Sequence, residues 1–593
     1  INRQRDPAMR RTLLILLALP LLLVVAAALL LPLFLDEEKA LSMAAEALKK
    51  ETGATLEVNG DLGLSVFPTL GVDFSGASIT MAGSERPDLE IERGAVGVQF
   101  MPLLSRQVEV DTLSLEGITA RVTAAPEPER IDTSKLSDAK LDAMYEQRRR
   151  EREAAGKEAG AEAALAVPLA LNVRRLNVRD ARVESRDPES GEVSVVELRT
   201  LQASGLNLEG RPIPLSLSLA VPGEQELRVA LDGDLRIAQD DDQVSFDGLQ
   251  IEVSGATEQP LSLVLTGALD LSRMRADTQL ELNLGEASGS GTLVYSSFES
   301  PQIDAELHMN LFDPALLALA GPEAAATGEQ STGGSGDEPL PLDAIRAIDT
   351  RASLRIDNAR FGAHNIENLA VQLRALEGVV ELRELSGSLH GGELDGTATF
   401  DGKHNTATLD TQGALQGLDI ATALAAMEYE PILSGGASLD WQLTSRGRTV
   451  NELTAALKGP LTLQTADVVL HDTSVEKLLC QGVALTNNER LTTQFPTDTS
   501  YTAISANIDI DQGVARLQPL HLDLGEAKLS GAGDFQLLSQ DFDVTFRAKV
   551  LPELEELDRA CRVSKRLTAI DFPVVCKGST GGEPGEWCRV DTE

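Results

Sequence analysis

The sequence predicts a mainly β protein. An N-terminal transmembrane helix leads into a long antiparallel sheet built by repetition, with one short helix and one helical insert. Three observations carry this reading. Apolar residues alternate with polar ones over most of the chain. One uncharged apolar run stands near the N-terminus. A hairpin-sized unit recurs far downstream. At ~100–200 residues per domain, the 593 residues allow three to five domain-sized units.

Leu13 to Leu35 contains no charged residue. A helix of that length, at ~1.5 Å per residue, crosses the ~30 Å hydrocarbon core. Arg3, Arg5, Arg10 and Arg11 precede it, and Asp36, Glu37 and Glu38 follow it. The positive-inside rule then assigns residues 1–12 to a cytoplasmic tail and the rest to the far side of the membrane. A cleaved signal would want an apolar core of only ~7–15 residues followed by small residues, whereas Ala26–Ala28 sit inside the run.

Residues 36–51 suggest a short helix, acidic in its first turn and ending with Lys49 and Lys50 before Gly53. From residue 54 the period becomes two. Leu56, Val58, Leu62, Leu64 and Val66 share one parity. So do Ile213, Leu215, Leu217, Leu219 and Val221, and again Leu227, Val229, Leu231, Leu235 and Ile237. Such runs, ended by Gly, Asp or Asn, describe antiparallel strands with one buried face. Two stretches interrupt them. Residues 133–166, rich in Ala, Glu, Arg and Lys, predict an exposed helix whose Arg-rich stretch is a solvated face laced with ion pairs. Residues 322–342 have the composition of a flexible linker. The resulting organisation is a β-rich region at 36–132, the insert at 133–166, a second β-rich region at 167–321 and the linker at 322–342. A third β-rich region at 343–560 and a Cys-containing tail at 561–593 complete it.

Residues 377–400 and 512–535 align without a gap at an offset of 135. Gly378 matches Gly513, Leu382 matches Leu517, Leu385 matches Leu520, and Phe400 matches Phe535. Repetition of a hairpin-sized unit points to one sheet extended by like pieces.

A net charge of −40 argues against nucleic acid, which needs a basic footprint, and an aromatic content of 3% argues against base-stacking platforms. No catalytic or metal motif is visible. The six histidines lie at least 14 residues apart, and neither a His-Glu-x-x-His nor a nucleophile elbow occurs. GSGTLV at 289–294 and GAGDFQ at 531–536 lack the third glycine of a dinucleotide fingerprint and are expected to be turns. No cofactor and no enzymatic activity are expected. Cys480, Cys561, Cys576 and Cys588 are an even set in a chain placed outside the cytoplasm, so two disulfides are expected. Loop length favours Cys576–Cys588, which leaves Cys480–Cys561, with other pairings open.

Together these segments resemble the AsmA family of Gram-negative envelope proteins. The resemblance rests on the apolar helix followed by residues 52–83, on VQFMPLLSRQVEVDTLSLEG at 98–117, and on LHGGELDGTATF at 389–400. LQGLDIATAL at 415–424, LSGGASLDWQL at 433–443 and the block at 504–535 extend it. It implies a single-pass inner-membrane protein with a periplasmic body linked to outer-membrane biogenesis. Larger relatives resemble bridge-type lipid transfer proteins, in which a long curved sheet forms an apolar groove. On that reading the chain binds phospholipid acyl chains and supports lipid transport, with the membrane, phospholipid and envelope assembly proteins as partners. The groove candidates are Leu382, Leu389, Leu394, Leu517, Leu524 and Leu529. The alternatives are an assembly factor acting through protein contacts on outer-membrane protein insertion, and a sheet that closes on a second sheet around a dry core.

Overall fold

The computed structural model describes Glu46, Lys49 and residues 54–590, apart from 66–69, 82–83, 85, 100–108, 124–132, 134–135, 159–172, 187–192, 224, 239–241, 297–301, 318–335, 348, 473, 524–526 and 580–587. The expected transmembrane helix at 13–35 and nearly all of the helix at 36–51 lie outside these residues, although Glu46 and Lys49 are helical. Among the described residues no helix is long and apolar enough to cross a membrane. The chain divides into two compact units, the first within residues 1–131, 153–299 and 315–328, the second within 132–152, 300–314 and 329–593.

The first unit carries thirteen strands: β1 (Thr55–Val58), β2 (Leu62–Ser65), β3 (Leu70–Thr80), β4 (Leu89–Val98), β5 (Val110–Thr123), β6 (Val173–Arg186), β7 (Val193–Leu206), β8 (Ile213–Val221), β9 (Leu227–Ala238), β10 (Gln243–Ser254), β11 (Leu261–Asp270), β12 (Arg275–Leu284) and β13 (Ala287–Ser296). β1 and β2 both pair with β3, and from there each strand pairs with the next in sequence. The second unit repeats the plan with β14 (Gln302–Phe312), β15 (Asp349–Phe361), β16 (His364–Leu376), β17 (Val379–Leu389), β18 (Gly392–Asp401), β19 (Ala407–Asp419), β20 (Leu433–Gly447), β21 (Gly459–Leu470), β22 (Thr499–Asp511), β23 (Val514–Asp523), β24 (Ala527–Gln536), β25 (Asp541–Val550), β26 (Phe572–Ser579) and β27 (Cys588–Val590). Its helices are α1 (Asp138–Glu158, up to residue 152), α2 (Leu342–Ala347), α3 (Ile420–Ala426), α4 (Val450–Ala455), α5 (Val475–Asn487) and α6 (Leu554–Leu557).

Local chemistry explains the hairpins. At Glu377–Gly378, His390–Gly391 and Gln512–Gly513 both residues have positive φ, between 48° and 82°. This is the two-residue turn whose twist matches a β-ribbon, and the second position suits glycine because it has no Cβ.

The antiparallel expectation needs two corrections. β5 pairs with β6 in parallel, and β14 pairs with β15 in parallel. Parallel neighbours require a crossover of a dozen or more residues. The two interruptions noted in the sequence, residues 133–166 and 322–342, fall within the stretches that join these strands, 124–172 and 313–348. The return at β6 is fixed by Asp111, whose carboxylate accepts from the Arg175 guanidinium at 2.8 Å and lies 3.4 Å from Arg174. The hydrogen bond from Arg175 holds Asp111 below the usual carboxylate range against the opposing effect of its burial.

The insert is not simply exposed either. In α1, Leu141 is 0% exposed and Tyr145 is 4% exposed. The Tyr145 hydroxyl donates to the Lys403 carbonyl at 3.2 Å, and Arg148 donates to the Arg346 carbonyl at 2.8 Å. The buried Arg346 of α2 donates to the Gly402 carbonyl, to Thr133 Oγ1 and to Asn405 Oδ1. Arg149 and Arg150 do form ion pairs, the first with the largely buried Glu377 and the second with the exposed Glu146. At the end of the stretch with linker composition, Pro339 bridges Thr449 and Leu342 is buried. GSGTLV and GAGDFQ lie inside β13 and β24 and are strands, not turns. Their glycines stand opposite large apolar neighbours, Leu280, Leu282 and Phe546 among them.

Candidate functional site

Hydrogen-bond register transfers one face from strand to strand, because directly opposed residues point the same way. In the first unit this builds continuous apolar rows. One runs Leu217, Leu231, Ile251, Leu263, Leu282. The next runs Leu219, Val229, Val253, Leu261, Leu284. The parities read from the sequence at 213–221 and 227–237 fall on this one face.

Coverage of the face is uneven. Across β3–β6 it is closed into a core of Ile91, Val96, Leu113, Leu115, Val173 and neighbours. Across β8–β13 most of its leucines and valines are half-buried: Leu217, Leu231, Leu263, Leu265, Leu280 and Leu282 are shielded by their lateral neighbours but not covered from above. A sandwich would bury these side chains in a dry core, so their half-burial excludes a closed second layer here.

The second unit has the same design. A row runs Leu385, Gly396, Gly413, Trp441, Leu461, Ile508, Leu517, Gly533, Val544. Leu382 stands opposite Ala398, Leu389 opposite Gly392, and Leu394 opposite Leu415. Leu529 stands opposite Leu522 and Ala548. Followed through these registers, Leu382, Leu389, Leu394, Leu517 and Leu529 all point to the same face, and all five are half-buried. Leu524 lies outside the described residues. The sequence repeat is also a geometric one. Both hairpins carry a register shift at the same place, between Leu382 and Leu385 and between Leu517 and Leu520.

Glycines on this face make room for aromatic rings. A Cβ on Gly413 would stand 2.3 Å from the Trp441 ring, so the indole lies across the glycine, with its N–H donating to Thr411 Oγ1 at 3.2 Å. Phe74 lies over Gly94 and Phe546 over Gly531 in the same way. The rings lie along the sheet rather than standing up from it, which leaves the surface low.

The opposite face is charged. Cross-strand partners there include Arg93 with Glu116 at 2.5 Å and Lys577 with Asp543 at 2.7 Å. Each such exposed pair contributes only ~0.2–1 kcal/mol. Together with the acid excess they keep this face hydrated while its reverse stays apolar.

The face ends at β25–β26 against a helical cap. Cys480 of α5 and Cys561 form a disulfide, buried with Val483, Val550 and Leu554. This is one of the two expected bridges. Cys576 is also disulfide-bonded, and Cys588 stands opposite it in the register. The buried Asp558 carboxylate accepts from the Ala560, Thr492 and Thr493 amides at 2.8, 2.6 and 2.7 Å. Those three donors hold it far below the usual carboxylate range.

Two histidines separated by 26 residues meet in space, with His364 Nδ1 2.9 Å from His390 Nε2. No sequence motif signals this pair, because its members sit at the ends of adjacent hairpins. Burial, then the neighbouring His364, lowers the His390 pKa. Among the described residues no three His, Cys, Asp or Glu side chains gather to hold a metal.

Fold and site together define a class: a protein built of sequential β-meanders, with one partly uncovered apolar face and one charged face. Within that class the chain belongs to the AsmA family, which it matches over residues 7–305 and 322–520. No curated protein and no solved structure matches it.

Proposed function

We propose that this chain is a non-enzymatic protein, anchored in the inner membrane of a Gram-negative envelope. Its apolar sheet face binds phospholipid acyl chains and thereby supports lipid transport in outer-membrane biogenesis. One observation carries the reading: the half-buried leucine rows of β8–β13 and β17–β22, which leave apolar surface in contact with water. Exposed apolar surface of this extent marks a binding surface. Linear hydrocarbon suits it, because each methylene removed from water contributes ~0.8 kcal/mol. AsmA membership is compatible with this role. A buried disulfide suits an oxidising compartment such as the periplasm. The uncharged run at 13–35 and the arginines before it support the anchor and its orientation.

The test is lipid extraction with native mass spectrometry on the full chain. Phospholipid is expected to co-purify, and Leu263→Asp with Leu282→Asp is expected to lower its amount at least about tenfold without unfolding the protein. A folded protein that is lipid-free and takes up no added phospholipid would overturn the proposal. It would favour an assembly role through protein contacts.

A further inference from the structure

Two hairpin ends in the second unit bring together imidazoles that the chain keeps 26 residues apart. His364 opens β16, where it stands opposite Phe361 across a two-residue turn. His390 lies in the turn from β17 to β18. β16 and β17 are hydrogen-bonded neighbours, with Ile366 opposite Leu389 close to the two histidines. The backbone of His390 is pinned a second time, because its carbonyl accepts from the Asp419 amide at 2.9 Å. Both rings are therefore carried by fixed backbone rather than by a free loop.

The geometry of the pair is that of two metal ligands turned to face each other. His364 Nδ1 lies 2.9 Å from His390 Nε2, and the ring centroids are 5.2 Å apart with the planes at 74°. The facing nitrogens share one proton, so one of them offers a lone pair. A tetrahedral divalent ion holds imidazole nitrogens at ~2.0–2.1 Å, which places two ring centroids about 5.2 Å apart. The pair already has that spacing. Its rings need only turn about their centres, by about 35° each, to aim both nitrogens at one point. The shared proton then moves to the other nitrogen of its own ring, and no charge is gained or lost. Burial, then the neighbouring His364, lowers the His390 pKa, which favours the neutral form that ligates. Both side chains are half-buried, so the pair is sheltered yet open to an ion. The negative charge of Asp419, which acts on His390, favours a cation there.

We infer that His364 and His390 form a two-imidazole site for a tetrahedral divalent transition-metal ion, with zinc as the ion whose bond lengths and geometry fit. Calcium and magnesium are excluded by their demand for oxygen ligands. Water completes the coordination, since among the described residues no third His, Cys, Asp or Glu side chain joins the pair. Bound there, the ion ties the β15–β16 turn to the β17–β18 turn. The site stands whether or not acyl chains occupy the sheet face.

The experiment titrates the full chain, in detergent and without a polyhistidine tag, with Zn²⁺ by calorimetry. Excess Mg²⁺ occupies the many surface carboxylates. One equivalent of Zn²⁺ is expected to bind. His364→Gln and His390→Gln are each expected to weaken binding at least about tenfold, with circular dichroism showing the fold intact. His308→Gln, at an exposed histidine elsewhere in the unit, is expected to change it by less than about twofold. Zinc-edge X-ray absorption of the one-to-one complex is expected to show two imidazoles at ~2.0–2.1 Å in the parent chain and one in either variant. Zn²⁺ is also expected to raise the melting temperature of the parent and of neither variant. Binding that survives both substitutions, or a parent complex with fewer than two imidazoles, would overturn the inference. So would a parent chain whose melting does not respond to Zn²⁺ while both variants melt earlier, which would leave the pair as a structural hydrogen bond only.

Discussion

Gly413 shows how single positions shape the apolar face. Its backbone is ordinary, so the constraint is space alone: a side chain there meets the Trp441 ring and the Asp395 carbonyl. Gly413→Val is expected to lift the indole, redden its emission and destabilise the second unit by about 1–3 kcal/mol. Fluorescence and thermal melting would show it, and an unchanged spectrum would contradict the packing described. Asp558 makes a different residue-scale claim. Its folded pKa lies below its unfolded one, so its stabilisation is complete above the usual carboxylate range and is lost as pH falls through the folded value. Hydrogen exchange at residues 490–495 and 554–562 is therefore expected to stay slow under mildly acidic conditions and to rise only in stronger acid. Asp558→Asn should speed that exchange already at neutral pH. Neither position could be identified from sequence, because an acid among 92 and a glycine among 49 carry no local mark of what they touch.

Elements divide into those that sequence specifies locally and those that distant contacts decide. The hairpins belong to the first kind. Turn residues with positive φ and period-two alternation lie within a few residues of one another, so the repeat at 377–400 and 512–535 was legible, while the register shift its two copies share emerged from the structure. The parallel pairings belong to the second kind, since β14 meets β15 only after a crossover through residues 313–348. The docking of α1 is equally non-local. Its surface is mostly charged, and only Leu141 and Tyr145 disclose a packed side, against partners more than 190 residues away. Leu141→Ala is expected to cost about 2–5 kcal/mol and to free the insert for proteolysis, whereas Arg150→Ala, on the exposed side, should change stability by less than about 0.5 kcal/mol. The Cys480–Cys561 bridge closes a separation of 81 residues. Its reduction is expected to lower the stability of the cap by about 2–4 kcal/mol, seen as an earlier melt in reductant.

At the scale of the whole molecule, alternation shows that every strand has two faces but not what covers them. The same Leu-x-Leu pattern is buried in β5, at Leu113 and Leu115, and half-buried in β11, at Leu263 and Leu265. The difference lies in the surroundings of each strand, which no strand encodes in its own residues. The candidate leucines were therefore legible as a set sharing one side, while the openness of that side emerged only from the structure. The central claim is that this open face carries acyl chains and its reverse does not. Photo-crosslinking tests it most directly, with a photoreactive amino acid placed in turn at 263, 264, 280 and 281 of the full chain in cells. Positions 263 and 280, on the apolar face, should capture phospholipid, and positions 264 and 281, on the charged face, should not. Equal capture on both faces, or none at 263 and 280, would contradict the account.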